Sequence, residues 1–200
     1  MTGGDDRLAA LVGSRLCHDL ISPVGAIGNG IELITLEAST QTPEIDLLRQ
    51  SVEAAGARLR LFRIAFGNVG EGDVVSREDL TQVLAGVYGA SRLTVEVELA
   101  GGIGRGAAKV ALLMALCLET TMPHGGTLSL AENEGRMVVR GTAARWRRDM
   151  DALWDLLDVA SDDPRVTPAT VHFPLVTLTS RAAGRRLTLD RRPDTITLSA

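Results

Sequence analysis

The sequence predicts an α+β protein: a long helical hairpin in the first third, then a mixed sheet backed by helices on one face. Three observations carry that prediction. Between Leu20 and Phe66 apolar residues recur in two runs at steps of three and four. The aperiodic, glycine-rich stretch Gly67-Asn68-Val69-Gly70-Glu71-Gly72-Asp73 ends that pattern. Beyond it, Leu93-Thr94-Val95-Glu96-Val97-Glu98-Leu99 alternates strictly, as a half-buried strand does.

The first helix starts near Asp5 or Asp6, whose carboxylates suit a helix N-terminus, and runs to about Leu36. Leu20, Val24, Ile27, Ile31 and Ile34 form its packing seam. At roughly 100° per residue, the seam is centred roughly 200° from His18, so the imidazole is expected to point outward. Within roughly 40° of His18 by the same arithmetic lie Ser14, Ser22, Gly25 and Asn29, with Leu11 the one large exception. Pro23 sits inside the helical pattern, where it deletes a backbone bond and predicts a bend.

Ser39 to Thr42 breaks this helix, and Thr42-Pro43 reads as an N-cap with proline at the first helical position. The second helix places Ile45, Leu48, Val52, Ala55, Leu59, Phe62 and Phe66 on one heptad seam. A two-helix hairpin cannot bury such a seam alone. A second copy completes it as a four-helix bundle, so a homodimer is expected with His18 of each chain on the outer faces.

The boundaries that follow are a helical hairpin over 1–68, a linker over 69–75 and an α/β domain over 76–200. In that domain Ser76 with Asp79 predicts a capped helix through Val87. The glycine run Gly101 to Gly106 reads as a flexible turn, and Ala107 to Met122 as a buried helix. Thr127 to Ala131 and Arg136 to Arg140 are strands around an Asn133-Glu134-Gly135 turn. Trp146, Met150, Leu153, Trp154 and Leu157 predict a further helix, and Thr167-Pro168 opens another that must tolerate Pro174. Arg186 to Asp190 and Thr195 to Ser199 close the chain as a hairpin.

Composition limits the function. With a formal net charge of −4, the chain lacks the basic face that sequence-independent nucleic-acid binding needs. Its arginine clusters at 145–148 and 185–192 read as solvated faces. No run approaches a membrane span, and the first residues lack a signal-peptide pattern, so no membrane association and a cytoplasmic location are expected. Cys17 and Cys117 are too few for a disulfide framework or a cysteine metal site. His124 and His172 have no second ligand at metal spacing and read as structural.

Periodicity alone leaves His18 as an ordinary surface histidine. The string around it carries more. His18-Asp19-Leu20-Ile21-Ser22-Pro23 resembles the H-box of two-component histidine kinases. The continuation Val24-Gly25-Ala26-Ile27-Gly28-Asn29-Gly30-Ile31-Glu32-Leu33 is similar to the ChpT-type histidine phosphotransferases. The order of elements after Gly72 resembles, in layout, the ATP-binding domain of those kinases. The motifs that would hold nucleotide are missing, however. Cys117 stands roughly where a metal-binding Asn belongs, with Glu119 the only nearby carboxylate. Gly141 to Val166 contains no Asp-x-Gly-x-Gly, and Gly184 alone remains of a glycine-rich lid.

The resemblance implies a phosphorelay. His18 accepts a phosphoryl group from the phosphoaspartate of a response-regulator receiver domain and passes it to a second receiver. It also implies a hybrid histidine kinase as a further partner, and no cofactor of the protein's own, with Mg2+ on the receiver. Asp19 is the candidate to orient the imidazole or take its proton. Ser14, Ser22, Gly25 and Asn29 are candidate docking contacts. Two alternatives stay open: an autophosphorylating kinase core with a divergent nucleotide site, and a non-catalytic adaptor that binds receivers.

Overall fold

Helices α1 (Gly3–Leu36) and α2 (Pro43–Ala65) pack against one another along their length. The computed structural model describes residues 3–36, 43–70, 72–160 and 162–200. Within α1, residues 3–7, 9, 10, 14, 17, 18, 21, 22, 35 and 36 are described as backbone only. Thr42, expected to cap α2, lies outside the described residues. The pair is antiparallel: Gly30 meets Leu48 at one end, and Asp19 shares a groove with Arg58 at the other. A methyl group on Gly30 would come within 2.5 Å of Leu48 Cγ, so this glycine lets the two helices approach.

The seam residues fall into two groups. Ala55 and Phe62 are buried and Ile27, Ile34, Ile45 and Leu48 are partly covered, whereas Val24, Ile31, Val52 and Leu59 are 53–59% exposed in the single chain. The C-terminal turns of α2 do something the heptad pattern does not announce. Leu61, Phe62, Ile64 and Ala65 belong to the core of the following α/β region, and Leu8, Leu11, Val12 and Leu16 of α1 pack against it. Hairpin and sheet are therefore joined by continuous apolar packing.

Beyond α2 come β1 (Val74–Val75), α3 (Arg77–Tyr88), β2 (Leu93–Glu98), β3 (Ile103–Gly104) and α4 (Arg105–Thr121). Ser76 caps α3, its side chain accepting from the Asp79 N–H at 2.9 Å. Next are β4 (Gly126–Asn133), β5 (Arg136–Thr142), α5 (Met150–Trp154), a 3-10 turn over Asp155–Asp158, α6 (His172–Ala182), β6 (Thr188–Arg191) and β7 (Thr195–Ser199). The five-stranded sheet has the order β2-β4-β5-β7-β6, with β2 and β4 parallel and the other pairs antiparallel. Leu128, Leu130, Met137, Val139, Ile196 and Leu198 are buried, while Thr127, Ser129, Arg140 and Thr197 occupy the opposite face. The β4–β5 turn puts Glu134 at φ 51° and Gly135 at φ 74°, the left-handed pair that a tight hairpin requires.

Helix α4 is the central element. Every residue from Val110 to Leu118 is buried, because α4 packs on the sheet with one side and against α2 and α6 with others. Its start also closes the end of α2: Arg105 donates to the carbonyls of Asn68 and Arg63, and Lys109 Nζ to that of Gly67 at 2.9 Å. The Arg63 carbonyl is an acceptor that the end of a helix leaves open, and those of Gly67 and Asn68 belong to the segment that follows. Burial, with Arg105 nearby, lowers the pKa of Lys109.

Three local expectations are corrected. The glycine run at 101–106 is no free turn: Ile103–Gly104 pairs with Val74–Val75 as a two-stranded ribbon and α4 begins at Arg105. Two-residue strands leave no periodicity to read. Trp146 precedes its helix, held by an indole N–H bond to the Pro193 carbonyl at 3.0 Å. Helix α6 starts at His172 and not at Thr167, where a turn is closed by Thr170. Pro174 thus occupies the third residue of the helix, where no amide donor is needed.

Candidate functional site

The backbone of His18 lies in mid-helix on α1, which continues through Pro23. The side chains of Ser14, His18 and Ser22 lie outside the described residues. Gly25 and Asn29 are exposed, as is Gly28 beside them. Asp19 is drawn inward: its side chain is 10% exposed and accepts from Arg15 Nε at 2.8 Å. Arg15 reaches further, donating through Nη1 to the Ala169 carbonyl at 3.0 Å, so one side chain ties the acid beside His18 to the α/β region. An i, i+4 spacing of opposite charges was the sequence signal for the Arg15–Asp19 pair. Nothing in the sequence announced its link to residue 169.

A groove of about 400 Å³ runs alongside, lined by Asp19, Pro23 and Ala26 of α1 and by Gln50, Ala54 and Arg58 of α2. At its deep end Arg58 pairs with Glu119 at 3.6 Å. The other oxygen of Glu119 accepts from the Tyr88 hydroxyl at 2.9 Å. Burial first, then the charge of Glu119, pushes the Tyr88 phenol well above its ordinary value. Glu119 is therefore engaged as a brace between α2, α3 and α4. Cys117, which the resemblance puts roughly where a metal-binding Asn belongs, is fully buried.

One turn of α4 away, Thr120 meets His172, with Oγ1 to Nε2 at 3.0 Å. The Thr120 hydroxyl donates to the Leu116 carbonyl, so Nε2 carries the proton and Nδ1 is left a buried acceptor without a partner. Burial, reinforced by the charge of Arg15, lowers the pKa of His172 from 6.5 to about 3. The ring of Phe173 lies 4.8 Å from that of His172 and 5.4 Å, edge-on, from Trp154. All three side chains are buried, and they fill the start of α6 with aromatic packing. Among the described residues no group of three or more His, Cys, Asp or Glu is arranged to hold a metal ion.

The titration of His172 has a consequence for stability. In the unfolded chain it takes up a proton near pH 6.5, in the folded chain only near pH 3. Its contribution is thus complete above about pH 6.5 and is lost as pH falls toward 3, at about 1.4 kcal/mol per unit. Urea unfolding across this range is expected to show the loss, and His172→Gln to flatten it. An unchanged slope in the variant would assign the acid sensitivity elsewhere.

A two-helix hairpin joined through continuous apolar packing to a mixed α/β sheet domain is the architecture of a protein-histidine phosphotransferase without kinase machinery of its own. Comparison with known proteins agrees. A family model described as the histidine phosphotransferase C-terminal domain matches residues 77–195, and the chain belongs to that family. Over 199 residues it is 29% identical to Protein phosphotransferase ChpT of Brucella abortus (strain 2308), across 96% of this chain and 94% of the relative. A solved structure of a bacterial phosphotransferase superposes with a TM-score of 0.80 at 27% identity, across 100% of this chain and 97% of that one. The activity is therefore histidine phosphotransfer, relaying phosphate through a histidine.

Proposed function

We propose that His18 is the relay histidine and that its partners are response-regulator receiver domains. The observation that carries this reading is the position of His18 within α1. It stands next to a carboxylate fixed by an ion pair and on the helical face that includes exposed Gly25 and Asn29. A neutral imidazole is nucleophilic near pH 7. One ring nitrogen attacks phosphorus, the P–O bond to the receiver's aspartate breaks, and that aspartate leaves as a carboxylate. The N–H on the other ring nitrogen then bears the positive charge, which Asp19 stabilises or relieves by taking the proton. Mg2+ on the receiver neutralises the phosphoryl oxygens. The reverse sequence delivers the group to a second receiver.

Ser14, Ser22, Gly25 and Asn29 form the docking face in this reading, where small side chains let a partner helix come close. The protein works as a homodimer, a state favoured by Val24, Ile31, Val52 and Leu59, which a four-helix bundle would cover. The hairpin over 1–68 carries the chemistry, 69–75 connects, and 76–200 supports it. A hybrid histidine kinase is a natural source of the phosphoryl group. A cytoplasmic location agrees with the absence, among the described residues, of a helix long and apolar enough to cross a membrane.

The deciding experiment incubates the purified protein with labelled ATP alone and then with a panel of phosphorylated receivers. No label from ATP and rapid labelling from a cognate receiver are expected. Label from ATP alone would restore the kinase reading, and none from any receiver the adaptor.

A further inference from the structure

The relay reading names His18 and Asp19 but leaves unexplained what holds Asp19 in place. Arg15 stands one helical turn before both, three residues from His18 and four from Asp19, on the same side of α1. Its guanidinium is used in two directions at once. Nε grips the Asp19 carboxylate at 2.8 Å and Nη1 the Ala169 carbonyl at 3.0 Å, with the side chain only 14% exposed.

The far anchor is rigid. The turn that carries Ala169 is closed by Thr167 N–H to Thr170 Oγ1 and by Thr170 N–H to the Thr167 carbonyl, each at 3.0 Å. It leads directly into Val171 and Phe173, both fully buried. A carboxylate held only by its own helix turns about its side-chain bonds. One held by a charge-assisted bond from a fixed guanidinium keeps its direction.

Resting on the relay reading, we infer that Arg15 is a positioning residue for phosphoryl transfer: it fixes the Asp19 carboxylate beside His18 by bracing it against the 167–170 turn of the α/β region. This gives that region a task in the reaction that needs no nucleotide. Asp19 then acts as an oriented partner of the imidazolium, because its carboxylate already accepts a strong bond from Arg15.

The test is a double-substitution cycle on the full chain, following label from a phosphorylated cognate receiver to His18. Arg15→Ala is expected to lower the maximal transfer rate about 10- to 100-fold, with the KM for the receiver within about twofold. Arg15→Lys, a point charge that cannot bond in both directions, recovers part of the rate. Because Arg15 acts through Asp19, the variant carrying both Arg15→Ala and Asp19→Ala is no slower than Asp19→Ala alone. Arg15→Gln, which keeps a donor without the charge, is measured alongside, and circular dichroism and thermal unfolding confirm the fold of each variant. A wild-type rate in the Arg15 variants, a loss confined to KM, or losses that multiply in the double variant would overturn the inference. Failure of the relay reading looks different: the unsubstituted protein itself takes no label.

Discussion

His18→Ala takes up no detectable label from a phosphorylated receiver, a loss of at least about a thousandfold, while its thermal unfolding stays close to that of the parent. The size of the effect follows from the chemistry. Transfer between two aspartates through this protein requires a nucleophile that forms a P–N bond, and removing a nucleophile leaves only binding and proximity. The stability expectation follows from the helix: alanine is the strongest helix former, and a mid-helix position accepts it readily. Rates are read by rapid quench and the fold by circular dichroism. Persistent labelling would move the relay to another residue. Of the two other histidines, His172 is wholly buried with its ring engaged by Thr120, which leaves exposed His124 as the alternative to test by His124→Ala.

The hairpin was legible in the sequence because two long heptad patterns survive intact, and so was the central strand and turn chemistry at 127–140. The buried helix was legible in type, since an all-apolar run has few other uses, but not in its reason. Helix α4 is apolar on every side because α2 and α6 cover what the sheet does not. What escaped was long-range and polar. Arg15 to Ala169 spans 154 positions, and the Arg58–Glu119–Tyr88 brace joins three helices through one polar side chain from each. No periodicity announces such contacts. The two-residue strands β1 and β3 escaped for a related reason: their pairing is set by the packing around them and not by their own composition.

Around the place where the resemblance puts its missing asparagine, the described side chains serve the fold. Glu119 braces helices, Cys117 packs in the core, and His172, Phe173 and Trp154 form an aromatic cluster at the start of α6. Interior surface stabilises the fold, and here it also supports the turn that Arg15 grips.

Phe173→Ala measures that support. The side chain is fully buried, makes an edge-on contact with Trp154 at 5.4 Å, and lies against His172. Truncation is expected to lower unfolding free energy by about 3–5 kcal/mol, the transfer term plus the cavity left behind, and the melting temperature by roughly 6–20 °C for a chain of this size. For a domain stable by only about 5–15 kcal/mol, that is a large share. Leu178→Ala, on the same helix but 42% exposed, is the control and should cost within about 0.5 kcal/mol. The functional consequence separates packing from chemistry. At a temperature where Phe173→Ala remains folded, the amide of Phe173 still bonds the Thr170 carbonyl, but the turn has lost its buried anchor. Transfer to His18 should then slow in the variant and be insensitive to adding Arg15→Ala, because the brace has already loosened. Urea titration gives the stability and the receiver-labelling rate gives the coupling. Equal costs for the two alanine substitutions would deny the aromatic cluster its structural weight. A full wild-type rate in folded Phe173→Ala would show that the 167–170 turn holds Arg15 without it.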